Sequence, residues 1–132
     1  MPTILCIDDV LQGLFLRQSV LENHGYEVLI ASDGVLGTEM ARNHRIDAVL
    51  LDYGMPGMKG DEVAGVPKRT YPALPVIILT GFRSSIPETL LRMSDGCVQK
   101  GEGQSALLRA IERVIRQPPK PSNLPKDESK VG

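Results

Sequence analysis

Four short, unbroken runs of apolar residues constrain the fold of this chain more than any other feature of its sequence. They are Ile4–Ile7, Val28–Ala31, Ala48–Leu51 and Val76–Leu79. Their apolar residues do not alternate with polar ones, which is typical of strands that are covered on both faces in a parallel sheet. A weaker fifth strand is predicted at Gly96–Gln99, where the next strand is due.

Stretches with helical character separate these runs. The predicted helices are Leu11–Asn23, Gly34–Asn43, Asp61–Val66, Pro87–Met93 and Ser105–Arg116. We expect four apolar side chains of the first helix to share its buried face: Leu11, Leu14, Phe15 and Leu21. The alternation of strand and helix predicts an α/β fold with an open, doubly wound, five-stranded parallel sheet and helices on both faces.

Length, charge and cysteine content narrow the class of protein. The 132 residues suit one domain, and 15 basic against 16 acidic residues argue against direct binding of nucleic acid by bulk charge. The apolar runs are far shorter than the ~20 residues of a membrane span, and no secretion signal is recognised. Cys6 and Cys97 cannot build a disulfide framework, which favours a reducing compartment. We therefore expect a cytoplasmic protein without membrane contact.

The end of the chain differs in character from the rest. Residues 118–132 are polar and hold four of the ten prolines. This composition predicts a domain over residues 1–117 and a disordered tail or linker over 118–132. The spacing Pro118–Pro121 also fits a partner-binding PxxP motif, although a linker is the favoured interpretation.

Five polar residues follow or end the predicted strands. They are Asp8, Asp9, Asp52, Thr80 and Lys100. Ligands of open α/β sheets bind at the carboxyl ends of the strands, and these residues come from four separate strand ends. Each of them alone would be an ordinary turn or surface residue, but together they predict one site.

The residue types of this set point to phosphoryl transfer. Three neighbouring carboxylates repel one another unless a cation is present, and oxygen ligands suit a hard ion such as Mg²⁺. A lysine offers a point charge for phosphate, and a threonine hydroxyl can donate to a phosphoryl oxygen. A carboxylate nucleophile beside these groups would be an acceptor of a phosphoryl group.

The chain resembles the receiver domain of two-component response regulators over roughly residues 3–117. The matching stretches are Ile4–Asp9, Ala31–Gly34, Asp47–Gly60, Pro75–Gly81 and Lys100. The resemblance implies a flavodoxin-like sheet with strand order 2-1-3-4-5. It also implies a phosphoprotein that accepts its phosphoryl group from a sensor histidine kinase or a phosphotransfer protein, acts on a downstream protein, and is not a turnover enzyme.

The resemblance assigns roles to individual residues. The phosphoacceptor falls on Asp52. Asp9 and Asp52 would ligate Mg²⁺ directly, Asp8 would act through water, and the carbonyl of Gly54 would complete the protein ligands. The site therefore implies Mg²⁺ as its cofactor.

The switch residues of the family are only partly present. The resemblance places the switch hydroxyl on Thr80 and the family's lysine on Lys100. Cys97 stands where the family has an aromatic ring, and Gly101 where a proline usually follows the lysine. We therefore expect a switching movement to run through Gly81–Ser85, a loop predicted to have little packing.

Four other interpretations remain open at this stage. A pseudo-receiver would bind partners without being phosphorylated. Gly101–Ala106 matches a dinucleotide motif, but no further strand follows to complete the unit. A flavin-binding carrier shares the fold, and only five aromatic residues argue against it. A haloacid dehalogenase-type phosphatase would need a second aspartate at the position of Gly54.

Overall fold

The computed structural model describes residues 1–53 and 73–116 of the chain. Three sequence predictions lie outside these described residues. They are the helix Asp61–Val66, the metal-ligating carbonyl of Gly54 and the tail over residues 118–132.

The five predicted strands form one parallel sheet. They are β1 (Thr3–Ile7), β2 (Glu27–Ala31), β3 (Ala48–Tyr53), β4 (Val76–Thr80) and β5 (Gly96–Gln99). Their order in the sheet is β2-β1-β3-β4-β5, and every neighbouring pair is parallel. The predicted fold class and strand order are therefore confirmed. β3 is the central strand and pairs with β1, so the carboxyl ends of these two strands lie side by side.

Helices follow β1, β2, β4 and β5 as predicted, with small differences at their ends. The described helices are α1 (Leu11–Asn23), α2 (Gly34–Asn43), α3 (Glu88–Met93) and α4 (Gln104–Arg116). Short 3₁₀ turns lie at Arg83–Ser85 and Lys100–Glu102. Pro87 precedes the first turn of α3, where its missing N–H costs no hydrogen bond. No helix within the described ranges is long and apolar enough to cross a membrane.

The core has two layers because successive strand residues point to opposite faces of the sheet. On one side, Ile4 and Cys6 of β1 pack in a cluster with residues of α1 and α4. On the other side, Leu5 and Ile7 pack in a cluster that includes Leu90 of α3. Both faces of the sheet are thus covered, as the continuous apolar runs predict.

The predicted buried face of α1 is wrong in two of its four residues. Leu14 and Leu21 are buried, but Leu11 and Phe15 are 56% and 55% exposed. At about 100° per residue, the stripe that faces the sheet contains Leu14 and Leu21 together with Arg17, and it turns Leu11 and Phe15 toward solvent. Arg17 lies on this same side of the helix, and its side chain is only 13% exposed.

Candidate phosphoacceptor site

The sheet brings the predicted site residues to its carboxyl edge. Asp8 and Asp9 directly follow β1, Asp52 is the penultimate residue of β3, Thr80 ends β4 and Lys100 follows β5. Asp8, Asp52 and Thr80 are buried, and Asp9 is half-buried. Because β1, β3, β4 and β5 are successive neighbours in the sheet, their ends form one continuous polar edge.

Lys100 contacts the carboxylate of Asp52. Its Nζ atom lies 2.8 Å from Asp52 Oδ2, within hydrogen-bonding distance. The Asp52 side chain is 5% exposed whereas that of Lys100 is 49% exposed, so a cation at the protein surface reaches a buried anion. The sequence predicts only that both residues lie at this edge of the sheet.

Arg17 is a further site residue that the sequence analysis does not identify. Its Nη2 atom pairs with Asp8 Oδ2 and lies 3.4 Å from Asp52 Oδ2. The available signal is weak: an arginine on the apolar stripe of α1, four residues after Gly13. Such a residue is ordinarily interpreted as a long side chain that extends past the core to solvent.

Gly13 has no side chain, and this leaves space for the guanidinium of Arg17 beside Asp8. A Cβ atom at this position would lie 2.9 Å from both Arg17 Nη2 and Asp8 Oδ2. Carbon and polar atoms do not approach so closely without a shift of one of them. A side chain at position 13 would therefore disturb the contact between Arg17 and Asp8.

The electrostatics of the site reflect burial and close charges. Burial raises the pKa of the Asp52 carboxyl above its ordinary 3.8, the neighbouring Asp8 carboxyl raises it further, and Lys100 opposes both effects. Asp8 also accepts a hydrogen bond of 2.9 Å from the backbone N–H of Val10 through Oδ1. The two buried carboxylates are thus held in a fixed place and balanced by two cationic side chains.

Thr80 uses its hydroxyl within its own loop. Oγ1 accepts from the N–H of Phe82 and lies at the same distance, 3.2 Å, from the carbonyl oxygen of that residue, to which it donates. The structure therefore places Thr80 at the edge of the site, with its hydroxyl engaged by the backbone of Phe82.

The loop after Thr80 is joined to β5 by hydrogen bonds of Arg83. Arg83 donates from Nη2 to the carbonyl of Cys97 at 3.0 Å and to Glu102 Oε1 at 3.1 Å. Its backbone N–H donates to Gln99 Oε1 at 3.2 Å. Gly81 to Ser84 are exposed, as the expectation of little packing has it, and the hydrogen bonds of one arginine join this segment to β5 and the turn that follows.

A metal site of three protein side chains is not assembled in the described ranges. Within residues 1–53 and 73–116, no group of three or more His, Cys, Asp or Glu side chains is arranged to hold a metal ion. Asp8 and Asp52 come together, and the guanidinium of Arg17 lies where a cation would contact both. The donor chemistry still fits a hard ion, since the acidic side chains offer only oxygen and a positive group already stands between two of them.

Comparison with known proteins agrees with this geometry. A family model described as the response regulator receiver domain matches residues 4–112. Response regulator MprA of Mycobacterium sp. (strain KMS) is 40% identical over 120 residues, which are 86% of this chain and 50% of MprA. Protein PilH of Pseudomonas aeruginosa is 37% identical over 82 residues, which are 61% of this chain and 68% of PilH.

Solved structures show the same fold. The crystal structure of response regulator protein TrrA from Thermotoga maritima, in complex with Mg²⁺ and BeF, matches with a TM-score of 0.78 and 27% identity. The match covers 86% of this chain and 99% of that chain. By contrast, the chain spans about half the length of the MprA response regulators that it matches.

Proposed function

Because the chain belongs to the family of response regulator receiver domains, we propose that it accepts a phosphoryl group on Asp52 in a two-component phosphorelay. The observation that carries this proposal is the buried Asp52 carboxylate with Lys100 Nζ 2.8 Å from its Oδ2 atom. A carboxylate in this position is a nucleophile, and the lysine beside it offsets the charge that develops on a phosphoryl oxygen.

The transfer exchanges one bond to phosphorus for another. A carboxylate oxygen of Asp52 forms the new P–O bond as the P–N bond of a phosphohistidine breaks, and the leaving imidazole nitrogen takes up a proton. Lys100 stays within reach of the incoming oxygens from the surface side. For Thr80 to donate to a phosphoryl oxygen, its hydroxyl has to leave the carbonyl of Phe82.

The proposed cofactor of this site is Mg²⁺. Asp9 and Asp52 would ligate the ion directly and Asp8 through water, with the carbonyl of Gly54 as the further protein ligand. When bound, the ion neutralises charge on the carboxylates and the phosphoryl oxygens. The similar protein TrrA was solved with Mg²⁺ and BeF, which supports this assignment.

The proposal also assigns partners and place. The phosphoryl donor would be a sensor histidine kinase or a phosphotransfer protein, and a downstream protein would bind the phosphorylated form. The chain would act as a cytoplasmic signalling domain that contacts neither nucleic acid nor membrane itself. It would lose its phosphoryl group by hydrolysis without being a turnover enzyme.

The test is phosphorylation by acetyl phosphate, read as the intact mass of the protein. Wild type should gain one phosphoryl group in Mg²⁺ and none in EDTA, and Asp52→Asn should gain none. Asp33→Asn is the matched control, because Asp33 is an exposed cap of α2 and asparagine caps a helix equally well. Labelling of Asp52→Asn to the wild-type level would disprove the assignment.

A second candidate function is a phosphorylation-independent interaction module. The position of Arg17 favours it, since a guanidinium that pairs with Asp8 beside Asp52 balances the buried charges without a metal ion. The same experiment separates the two functions. A pseudo-receiver would remain unlabelled in acetyl phosphate and Mg²⁺ under conditions in which its fold is intact.

A further inference from the structure

We propose that Arg17 is a tethered counter-ion that occupies the cation position of the phosphoacceptor site and has to leave before a divalent ion can use both Asp8 and Asp52. Its Nη2 atom pairs with Asp8 Oδ2 and lies 3.4 Å from Asp52 Oδ2. One guanidinium nitrogen therefore stands between two carboxylates that are both predicted to serve the metal site, Asp52 directly and Asp8 through water. This inference rests on the proposed function and adds a residue that controls access to the same site.

The burial of Arg17 distinguishes it from the ordinary ion pairs of the surface. Arg92–Glu88 and Arg116–Glu112 join residues four apart on one helix, and all four of their side chains are more than half exposed. Such exposed pairs contribute little and adapt readily to solvent. The Arg17 side chain is 13% exposed, its partner Asp8 is 3% exposed, and the pair joins α1 to the end of β1.

Gly13 is the second observation that points to a built position. It lies one helical turn before Arg17 and on the same side of α1. A Cβ atom there would stand 2.9 Å from the guanidinium and from the carboxylate that it contacts. Gly13 lies in the first turn of α1, and its lack of a side chain leaves open the space beside this pair of charges.

Occupation of the cation position by Arg17 would weaken the apparent affinity of the site for a metal ion. If only a fraction of the molecules have the guanidinium displaced, the apparent dissociation constant for a metal ion is the intrinsic constant divided by that fraction. A side chain without charge at position 17 removes this competition. We therefore expect the variant without this arginine to bind a divalent ion more tightly than wild type.

The experiment measures Mg²⁺ binding directly, by calorimetry and by amide NMR, without any phosphoryl donor. Arg17→Met keeps an apolar side chain on the stripe of α1 and removes the guanidinium. Arg42→Met is the matched control, since Arg42 lies exposed in the last turn of α2, at the opposite end of that helix from the carboxyl edge. We expect Arg17→Met to bind Mg²⁺ about tenfold more tightly than wild type, equivalent to about 1.4 kcal/mol, and Arg42→Met to match wild type.

A second measurement uses the unaltered protein. The side-chain Nε–H signal of Arg17, assigned by its absence from Arg17→Met, should shift and lose protection from exchange as Mg²⁺ saturates the site. If wild type binds Mg²⁺ while this signal stays unchanged, the inference is wrong. Equal or weaker Mg²⁺ binding by Arg17→Met would also overturn it.

The outcome separates this inference from the proposed function. A wild-type protein that binds Mg²⁺ and is labelled on Asp52, with Arg17→Met binding no more tightly, would refute the role of Arg17 alone. If none of the three proteins binds Mg²⁺ and none is labelled, the phosphoacceptor function fails and the inference fails with it.

Discussion

The close approach of α2 to β1 allows a sharp test of how the sheet edge is held. Gly37 is buried in α2, and a Cβ atom there would lie 2.6 Å from Ile7 Cδ1 and 3.1 Å from Ile7 Cγ1. Ile7 is the last residue of β1 and directly precedes Asp8. Gly37→Ala therefore presses on the strand that positions an acidic residue of the site.

The size of the effect follows from the overlap. Carbon atoms in contact are normally about 3.5–4.0 Å apart, so the new methyl group would penetrate Ile7 Cδ1 by about 1 Å. Ile7 is fully buried and β-branched, which leaves it few alternative rotamers. Overpacking of this kind costs about 1–3 kcal/mol, and the better helix propensity of alanine returns about 1 kcal/mol. We expect a net loss of about 1 kcal/mol.

The assay is urea unfolding followed by far-UV circular dichroism, because the chain has no tryptophan. Ile7→Val removes Cδ1 and should cost about 0.5–1.5 kcal/mol by itself. In the Ile7→Val background, Gly37→Ala should cost nothing or stabilise, giving a coupling of about 1–2 kcal/mol between the two sites. Gly101→Ala, where no atom lies within 4 Å of the added Cβ, is the control. An equal cost of Gly37→Ala in both backgrounds would refute the steric argument.

Three further predictions concern the site and the thiols. Lys100→Met should slow labelling of Asp52 by acetyl phosphate about 10²-fold, because a charge that stabilises the transferred group is lost; a change below about threefold would contradict this. In EDTA, Asp52→Asn should become more stable than wild type as pH rises above 3.8. Burial raises the native pKa of Asp52, so the folded wild type loses a stabilising proton as pH rises from 3.8 to that raised pKa. Urea stabilities of the two proteins that stay parallel from about pH 4 to about pH 8 would disprove this. An alkylating reagent should modify the half-buried thiol of Cys97 in the native protein but not that of Cys6. Cys6 is fully buried, and burial raises its pKa to about 12. A mass that shows both thiols modified before unfolding would contradict this.

The strands could be predicted almost completely from the sequence. The predicted and observed strands differ only at their ends, and these differences have one cause. The apolar runs mark where side chains are buried, whereas a strand continues as long as its backbone is paired. Thr3 and Glu27 therefore extend β1 and β2 by pairing with each other at the amino end of the sheet. Tyr53 and Thr80 pair in the same way at the carboxyl end and extend β3 and β4. Polar residues at strand ends carry no signal in an apolar pattern.

The sequence predicts site residues only at or just after the carboxyl ends of strands. Asp52 and Lys100 are found from sequence because strand ends meet at one edge, whatever the exact packing of the helices. Arg17 lies on a helix, and its contact with Asp8 depends on the rotation of α1 about its axis. An apolar pattern fixes that rotation poorly here, since Leu11 and Phe15 are as apolar as Leu14 and Leu21. The membership of the chain in the receiver family was predicted correctly from the residues that follow strands.

The hydrogen bonds of Arg83 join the loop after Thr80 to the segment that contains Lys100. Thr80 and Phe82 exchange hydrogen bonds, and the next residue, Arg83, is bonded to Cys97, Gln99 and Glu102. Lys100 lies within the segment that these three acceptors span. The residues after Thr80 are therefore joined by hydrogen bonds to the segment that also carries the lysine. Although Cys97 carries no aromatic ring, its carbonyl oxygen accepts a hydrogen bond from Arg83, three residues after Thr80.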